Sequence, residues 1–431
     1  MAKISVIMPS LNVADYIGEA LNSVRHQTLE DIEIICIDAG STDGTWGIIE
    51  DAAKDDSRII ALQSLTKSYG FQVNKGFDRA SGEYIAVLET DDYAAPEMYE
   101  KLYEAAHREK LDYVKCDYRT YTAGGDGRLF VDRKVSVSQA LYEHVFEPSD
   151  YPETVVDDWY LWNGVYRTDF LRRNNIRLSE TPGAAFQDVG FLYWVSVKAK
   201  KVSYISDSLY FYCVDRDGSS SNSGRALKFI HQEYGILLEH ICDLSDIEKR
   251  LLYRRMIVSF VRACQGTCYG VLCDDDIRGI CIWFRGQFLK AEDEGFISES
   301  DLSGFFREVY FLVRDSMERY LEYRLSRENE LSDFLNKCSG IIIFGCGNFG
   351  RDALQLLKRK GIEIVGFMDN NSALWGKEID GFEVFSSQRI IDFSDNTGYL
   401  VANEKYADDI IVQIRSYKDV VRIYRYDGVV D

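Results

Sequence analysis

The feature that most restricts this chain is a rhythm in its first 120 or so residues. Short, almost wholly apolar runs alternate there with stretches of helical period. The runs are Ile4–Met8, Glu33–Asp38, Ile59–Leu62, Tyr84–Leu88 and Tyr113–Tyr118. Asp15–Gln27, Thr45–Ala53, Gln72–Ala80 and Pro96–Arg108 carry the helical spacing between them. A strand without polar alternation is buried on both faces, and a helix after each strand supplies the cover. The pattern therefore predicts a parallel α/β sheet. Such sheets bind ligands beyond the carboxyl ends of their strands, which turns attention to the loops there.

The rhythm changes twice further on. From 226 to 335 the spacing predicts long helices, Ala226–Cys242, Ile247–Cys264, Asp276–Ala291 and Leu302–Leu335, with no recognisable chemistry. This block reads as a helical connector or oligomerisation segment, and homo-oligomerisation through it is allowed for. A second α/β unit opens with the apolar run Ile341–Phe344, then Gly345-Cys346-Gly347-Asn348-Phe349-Gly350, then a helix to Lys360. A further strand, Ile364–Met368, ends in Asp369, and Gly398–Ala402 and Val421–Tyr424 look like later strands. The expected domains are thus 1–225, 226–335 and 336–431.

Strand, glycine loop, helix and an acid after the next strand form the context in which such a loop holds a diphosphate at a helix N-terminus. Gly345, Gly347 and Gly350 are then nucleotide-binding and Asp369 faces a ribose. The other reading keeps the glycines only for close packing of helix on strand, and both stay open. The unit lacks a Tyr-x-x-x-Lys pair, so a complete dehydrogenase or epimerase is not expected.

Composition narrows the partners. The formal net charge of −20 argues against nucleic acid, whose phosphates need clustered Lys and Arg. Broad adhesion to an anionic membrane is disfavoured too, although peripheral contact through a local basic patch is allowed for. The start, Met1-Ala2-Lys3-Ile4, leads directly into a strand-like run, and no apolar stretch approaches the roughly 20 residues of a spanning helix. The expectation is a soluble, cytoplasmic chain. Its ten cysteines sit mostly among apolar neighbours, as reduced thiols do. Cys264, Cys268, Cys273 and Cys281 include no C-x-x-C pair, so a helix face is preferred to a metal site. No G-x-S-x-G elbow and no metal-ligand spacing of histidines occurs.

Two acidic loops follow strands of the first block. One is Asp38-Ala39-Gly40-Ser41-Thr42-Asp43-Gly44-Thr45, where Thr42 or Asp43 is placed to cap the next helix. The other is Glu89-Thr90-Asp91-Asp92. Three carboxylates so close together repel one another and need a cation or hydrogen-bond donors. Oxygen ligands of this kind suit Mg²⁺ or Mn²⁺ bridging a diphosphate, whereas an isolated acidic turn can equally be a solvated loop.

Residues 4–120 resemble the family 2 glycosyltransferases, which have the GT-A nucleotide-binding fold. The resemblance is carried in order by SVIMPSLNVADYIGEALNSVRHQT, DAGSTDGT, Asn74–Tyr84 with its A-S-G-E-Y, and ETDDYAAPEMYEKLY. It implies that Pro9 and Asp38 line the base pocket. It also implies that Glu89 and Asp91 form the D-x-D pair, with Asp91 the principal metal ligand and Asp92 in support. Ala39 and Glu89 stand where the family usually has Asp. Phe186-Gln187-Asp188-Val189-Gly190-Phe191 resembles the segment that carries the family's catalytic base, which selects Asp188. Its position also suits an N-cap of the next helix. In related transferases a mobile loop near Asp215–Ser220 brings a basic residue to the diphosphate, which selects Arg216; an ordinary surface loop is the alternative. Trp162 and Asn163, with Trp159, are candidates for the acceptor site, although a buried Trp is commoner. The C-terminal unit is similar to small Rossmann-like domains that precede bacterial sugar acyltransferases.

Together these imply an inverting transferase that moves a sugar from a nucleotide diphosphate to a glycan or lipid-linked acceptor in bacterial surface-polysaccharide synthesis. The rivals are a non-catalytic sugar-nucleotide sensor or scaffold and an NAD(P)-binding enzyme centred on Gly345–Gly350.

Overall fold

The computed structural model describes residues 2–124, 127–136, 138–214, 225–302, 304–403, 406–426 and 428. The chain divides into two compact units, Met1–Ser223 with Phe229–Arg255, and Gly224–Lys228 with Met256–Asp431.

The first unit begins with the expected alternation. Its elements are β1 (Ile4–Ser10), α1 (Ile17–Arg25), β2 (Ile32–Asp38), α2 (Thr45–Asp55), β3 (Ile59–Gln63), α3 (Tyr69–Arg79) and β4 (Tyr84–Val87). Then come β5 (Tyr93–Ala94), α4 (Met98–Glu109), β6 (Tyr113–Gly124), β7 (Gly127–Arg133), α5 (Glu153–Val156), β8 (Gly164–Arg167) and α6 (Thr168–Arg173). The unit closes with α7 (Asp188–Lys198), β9 (Val202–Cys213), α8 (Ala226–Glu239) and α9 (Asp246–Gln265), the last two only in part.

The strands form one nine-stranded sheet in the order β3-β2-β1-β4-β8-β6-β9-β5, with β7 on β6. Strands β3, β2, β1 and β4 are parallel. Beyond β4 the sheet is mixed, because β8 runs antiparallel to both β4 and β6, and β5 antiparallel to β9. The runs expected from the sequence, β1 to β4 and β6, all point the same way, and the antiparallel strands β8 and β5 were not expected. Strands as short as β8 and β5 show too little period to be read from sequence.

One face of the sheet is covered by α1 and α4, through Ile17, Leu21, Val24, Met98 and Leu102. The other is covered by α3, α6 and α7, through Val73, Phe77, Phe170, Phe191 and Val195. Burial on both faces is why β1 is uninterruptedly buried. Ser68 caps α3, its hydroxyl accepting the Phe71 N–H at 3.2 Å. Gln72 of that helix donates to the Ser10 and Ile37 carbonyls where β1 and β2 end (2.9 and 2.6 Å).

The second unit holds the remaining helices, α10 (Tyr269–Leu272), α11 (Asp275–Asp293), α12 (Gly304–Asp315) and α13 (Met317–Asn336). The single helix expected over 302–335 is two. Ser316 is extended at the break, and its hydroxyl accepts the Arg319 N–H at 3.4 Å, so it caps a new helix. Then follow β10 (Gly340–Phe344), α14 (Asn348–Arg359), β11 (Ile364–Asp369), β12 (Glu378–Ile379), β13 (Phe382–Ser386), β14 (Thr397–Val401), α15 (Ala407–Tyr417) and β15 (Arg422–Arg425). They form a six-stranded sheet in the order β12-β13-β11-β10-β14-β15, parallel except at β12.

Candidate active site

The two acidic loops follow β2 and β4, beyond the carboxyl ends of the parallel strands that flank β1. Asp38 ends β2 and is fully buried, at 0% exposure. Its Oδ2 accepts the N–H groups of Gly40 (3.0 Å) and Ser41 (2.9 Å), and its Oδ1 accepts the Ser41 hydroxyl (2.5 Å). Both oxygens are thus engaged inside the loop, so Asp38 shapes the turn rather than presenting an open carboxylate. Side chains join this loop to the segment after β1. Asn12 donates its N–H to Ser41 Oγ and accepts the Thr42 N–H, while Asp43 accepts from Ala14 and Thr45. Gly44 holds the cap position of α2, with the Asp43 carboxylate on the Thr45 N–H.

The second loop rests on β9 and α3. Thr90 Oγ1 donates to the Pro9 carbonyl at 2.9 Å. Asp92 is buried, its Oδ2 accepting the Tyr210 hydroxyl and its Oδ1 the Cys213 N–H, each at 2.8 Å. The same Tyr210 hydroxyl accepts the Glu89 N–H at 3.2 Å, so one phenol fixes both ends of the loop. Burial first, then the neighbouring Asp91 charge, holds the Asp92 carboxyl well above the usual range despite those donors. Asp92 therefore props the loop, and the expected metal-supporting carboxylate has both oxygens turned to the protein. Glu89 and Asp91 are half-buried, and Glu89 Oε1 accepts the Tyr69 hydroxyl at 2.5 Å.

The other expected carboxylate, Asp188, lies on α7. Gln187 holds the cap position of that helix, and Asp188 is its first residue, which corrects the N-cap expectation. Tyr69 feels the charge of all three carboxylates. Its hydroxyl is pushed well above the ordinary tyrosine range by burial, then by the charges of Glu89, Asp188 and Asp91. Asp188 is partly exposed as a residue, while its carboxyl sits among packed groups. Burial pushes that carboxyl up to about 6; Arg255 and Lys115 pull it down and Asp158 pushes it up.

Those three residues are a buried charged cluster that sequence reasoning missed. Lys115, at 0% exposure, pairs with Asp158 and donates to the Tyr160 carbonyl at 2.5 Å. Arg255, also 0% exposed, donates to the Val155 carbonyl at 2.5 Å, with its guanidinium 5.1 Å from the centre of the Trp159 ring. The available signal was a lysine inside the run Tyr113–Tyr118. For Arg255, on a charged helix, there was none.

Trp162 and Asn163 lie away from any open surface. Trp162 is 5% exposed, its ring stacked on Tyr210 at 4.1 Å and Tyr160 at 4.6 Å. Asn163 is buried and donates to the Cys116 carbonyl at 3.1 Å. Both are core residues, which corrects the acceptor-site expectation. Arg216 lies outside the described residues. An open cavity of about 1010 Å³, lined among others by Asn22, Tyr93, Arg119, Asp207 and Phe211, includes none of the expected site residues.

Among the described residues, no three or more His, Cys, Asp or Glu side chains stand together as a metal cage, and no helix is long and apolar enough to cross a membrane. All ten cysteines are free. Cys264 and Cys281 are buried, while Cys268 and Cys273 are exposed.

At Gly345–Gly350 the structure gives two of the glycines a packing reason. A Cβ on Gly345, whose φ is 115°, would lie 2.5 Å from the Ala402 carbonyl oxygen. One on Gly350 would lie 1.9 Å from that of Gly345, whereas one on Gly347 would meet nothing within 4 Å. Asp369 accepts the loop's own Cys346 N–H at 2.9 Å and the Asn371 N–H at 2.8 Å.

The family profile described as Glycosyl transferase family 2 matches residues 5–172. Over that stretch the chain is similar to family 2 glycosyltransferase domains. A second profile, described as C2185-like, N-terminal, matches residues 337–423. Among curated relatives, the uncharacterized glycosyltransferase EpsJ of Bacillus subtilis is 31% identical over 210 residues, covering 48% of this chain and 60% of that protein. Glycosyltransferase GlyG of Streptococcus pneumoniae is 26% identical over 302 residues, covering 67% of this chain and 97% of that protein. The chain thus spans only about 60% of the length of EpsJ. The crystal structure of S. aureus TarS 1-349 with UDP-GlcNAc superposes with a TM-score of 0.58 at 20% identity, covering 76% of this chain and 92% of that one. The fold is that of TarS, a mixed α/β GT-A-like sheet followed by helices, here with a second small sheet.

Proposed function

We propose that the chain is an inverting glycosyltransferase that uses a nucleotide-diphosphate sugar and a glycan or lipid-linked acceptor hydroxyl in surface-polysaccharide synthesis. The observation that carries this reading is the Tyr69 hydroxyl, which donates to Glu89 at 2.5 Å and is raised by the charges of Asp188 and Asp91 as well. An inverting transfer needs a carboxylate that is ionised near neutrality yet not stabilised so far as to be a poor base. Asp188, pushed up to about 6, meets that requirement. It takes the proton from the acceptor hydroxyl while the sugar departs from the opposite face.

The donor set fits one divalent ion, Mn²⁺ or Mg²⁺, because the acid loop offers oxygen only. Asp91 would hold it, with the donor's diphosphate completing the shell; when bound, the ion neutralises the leaving diphosphate. Glu89, fixed by Tyr69, would face the ribose, and Pro9 and the loop shaped by Asp38 would frame the base. Arg216 is carried forward as a stabiliser of the leaving group. The domain divisions at 225/226 and 335/336 and a cytoplasmic setting belong to the same proposal. A diphosphate at Gly345–Gly350 is a second reading there, favoured by Gly347, which has no packing reason to be glycine.

A thermal-shift panel of nucleoside diphosphates and sugar nucleotides, with and without Mn²⁺, tests the donor site, since a ligand of the native state alone raises the midpoint. One nucleotide is expected to stabilise the wild type only with Mn²⁺, and Asp91→Ala is expected to abolish that shift. A shift from NAD(P) and from nothing else would overturn the reading.

A further inference from the structure

The segment that carries Asp188 holds an unfavourable backbone. Phe186 has a φ of 64°, in the left-handed region that bulky residues rarely adopt. Such a conformation persists only where the surroundings over-determine it. One side of the restraint comes from α3 and the residues before it. Gly183 donates its N–H to the Lys67 carbonyl and accepts the Tyr69 N–H, each at 2.9 Å. Asn74 holds both polar groups of the Leu178 backbone, at 2.9 and 3.1 Å. The backbones approach so closely that a Cβ on Gly70 would lie 1.8 Å from the Ser179 carbonyl oxygen.

The other side comes from α8, outside the matched family region. The Phe229 ring stacks on Phe186 with centroids 6.1 Å apart and planes 18° apart. One turn later Glu233, 2% exposed, accepts the Ser179 hydroxyl at 2.5 Å and the Thr181 hydroxyl at 3.3 Å. Two neutral hydroxyls are modest compensation for a buried carboxylate.

We propose that Glu233 is a positioning residue for Asp188: it ties Ser179 and Thr181 to α8 and so fixes the segment that aims the Asp188 carboxyl. The proposal rests on the reading of Asp188 as the base. Glu233 is faced by Ser179 and Thr181 from the segment and by Asp188 from α7. Burial first, then the Asp188 charge, pushes Glu233 up to about 7, against the partial relief of the hydroxyls. A raised carboxyl stabilises the folded arrangement fully below its unfolded value and loses that contribution as pH rises through about 7. The hydroxyl bonds themselves favour the ionised form, but burial and the Asp188 charge outweigh them, so the closed arrangement is most stable in acid and loosens above neutrality, where Glu233 and Asp188 are both ionised.

Amide hydrogen exchange of the full chain, followed for peptides covering residues 178–190 from about pH 5.5 to about pH 8.5 and corrected for chemical exchange, tests this. In the wild type, protection of the segment should fall as pH rises through about 7. Glu233→Gln should keep the protection and flatten its pH dependence. Glu233→Ala should exchange about tenfold faster throughout. Ser179→Ala with Thr181→Ala removes the same tie from the other side and should reproduce that loss, also where Glu233→Ala fails to fold. Exchange within about twofold of wild type in the alanine variants, or an unchanged pH dependence in Glu233→Gln, overturns the proposal. Release of nucleoside diphosphate from the sugar nucleotide that the wild type turns over, measured for Asp188→Asn, separates the two ideas. Full release would sink the base assignment and leave the exchange result standing. An inactive Asp188→Asn with an undisturbed Glu233→Ala segment would sink only the tie.

Discussion

Two strand-to-helix turns in this chain look alike on paper: a parallel strand, a tight loop with glycines, a helix, and an acid close by. In the turn after β2 the Asp38 and Asp43 carboxylates are satisfied by nearby N–H and hydroxyl groups, but in the loop after β4 Glu89, Asp91 and Asp92 crowd together. Burial, then the Asp91 charge, raises Asp92, and burial, with the Asp158 charge adding to it, raises Asp188; Asp92 pushes on Tyr210 and Asp188 on Tyr69. The turn after β10 is settled within itself. Its acid, Asp369, is satisfied by two N–H groups of its own surroundings, and two of its three glycines relieve backbone clashes. Charge held at an electrostatic cost points to a missing ligand, whereas charge already hydrogen-bonded points to a finished structure. Motif spacing does not distinguish the two, but an account of where each lone pair goes does.

The sharpest way to break this contrast is Asp188→Asn, which should lower turnover about 10²- to 10⁴-fold with the fold intact by circular dichroism. Wild-type turnover should fall as pH drops through about 6, because the base must be ionised to act. The stability linkage runs the other way. A carboxyl raised to about 6 stabilises the fold below the ordinary aspartate value and loses that contribution as pH rises through about 6. Activity and the Asp188 contribution to stability should thus change in opposite directions over that window, and parallel changes would remove Asp188 from the role.

Tyr210→Phe should have a smaller but clear effect. It takes one of two donors from a buried carboxyl, at about 1–3 kcal/mol, which chemical denaturation would register. No loss would mean that Asp92 is held otherwise. The smallest effect should come from the second unit. Asp369→Ala should cost about 1 kcal/mol by releasing two loop N–H groups, with the midpoint shift of the first site's ligand unchanged. If that variant instead abolished a midpoint shift caused by a nucleotide in the wild type, the two turns would be functionally alike after all.

Much of the fold was legible because its cause is local. The apolar runs that became β1, β2, β4, β10 and β14 are buried on both faces, and that burial writes itself into consecutive residues. The two-residue β5 and four-residue β8 were illegible for the converse reason, since their pairing is fixed by distant partners. In the candidate site, the roles proposed for Asp91 and Asp188 rest on the family resemblance. The orientation of Asp92 and the burial of Trp162 were not legible, because both depend on β9, more than a hundred residues from the acid loop and some fifty from Trp162.

The sequence alone determined the alternating α/β plan, the acid-rich loops at strand ends and the glycine turn at Gly345–Gly350, all of which follow from the chemistry of neighbouring residues. Only the tertiary structure decided which carboxylates are spent and which are strained. That outcome depends on donors such as Tyr69, Tyr210, Lys115 and Arg255, brought in from separate elements by packing, and hydrogen bonds and burial act through space rather than along the chain.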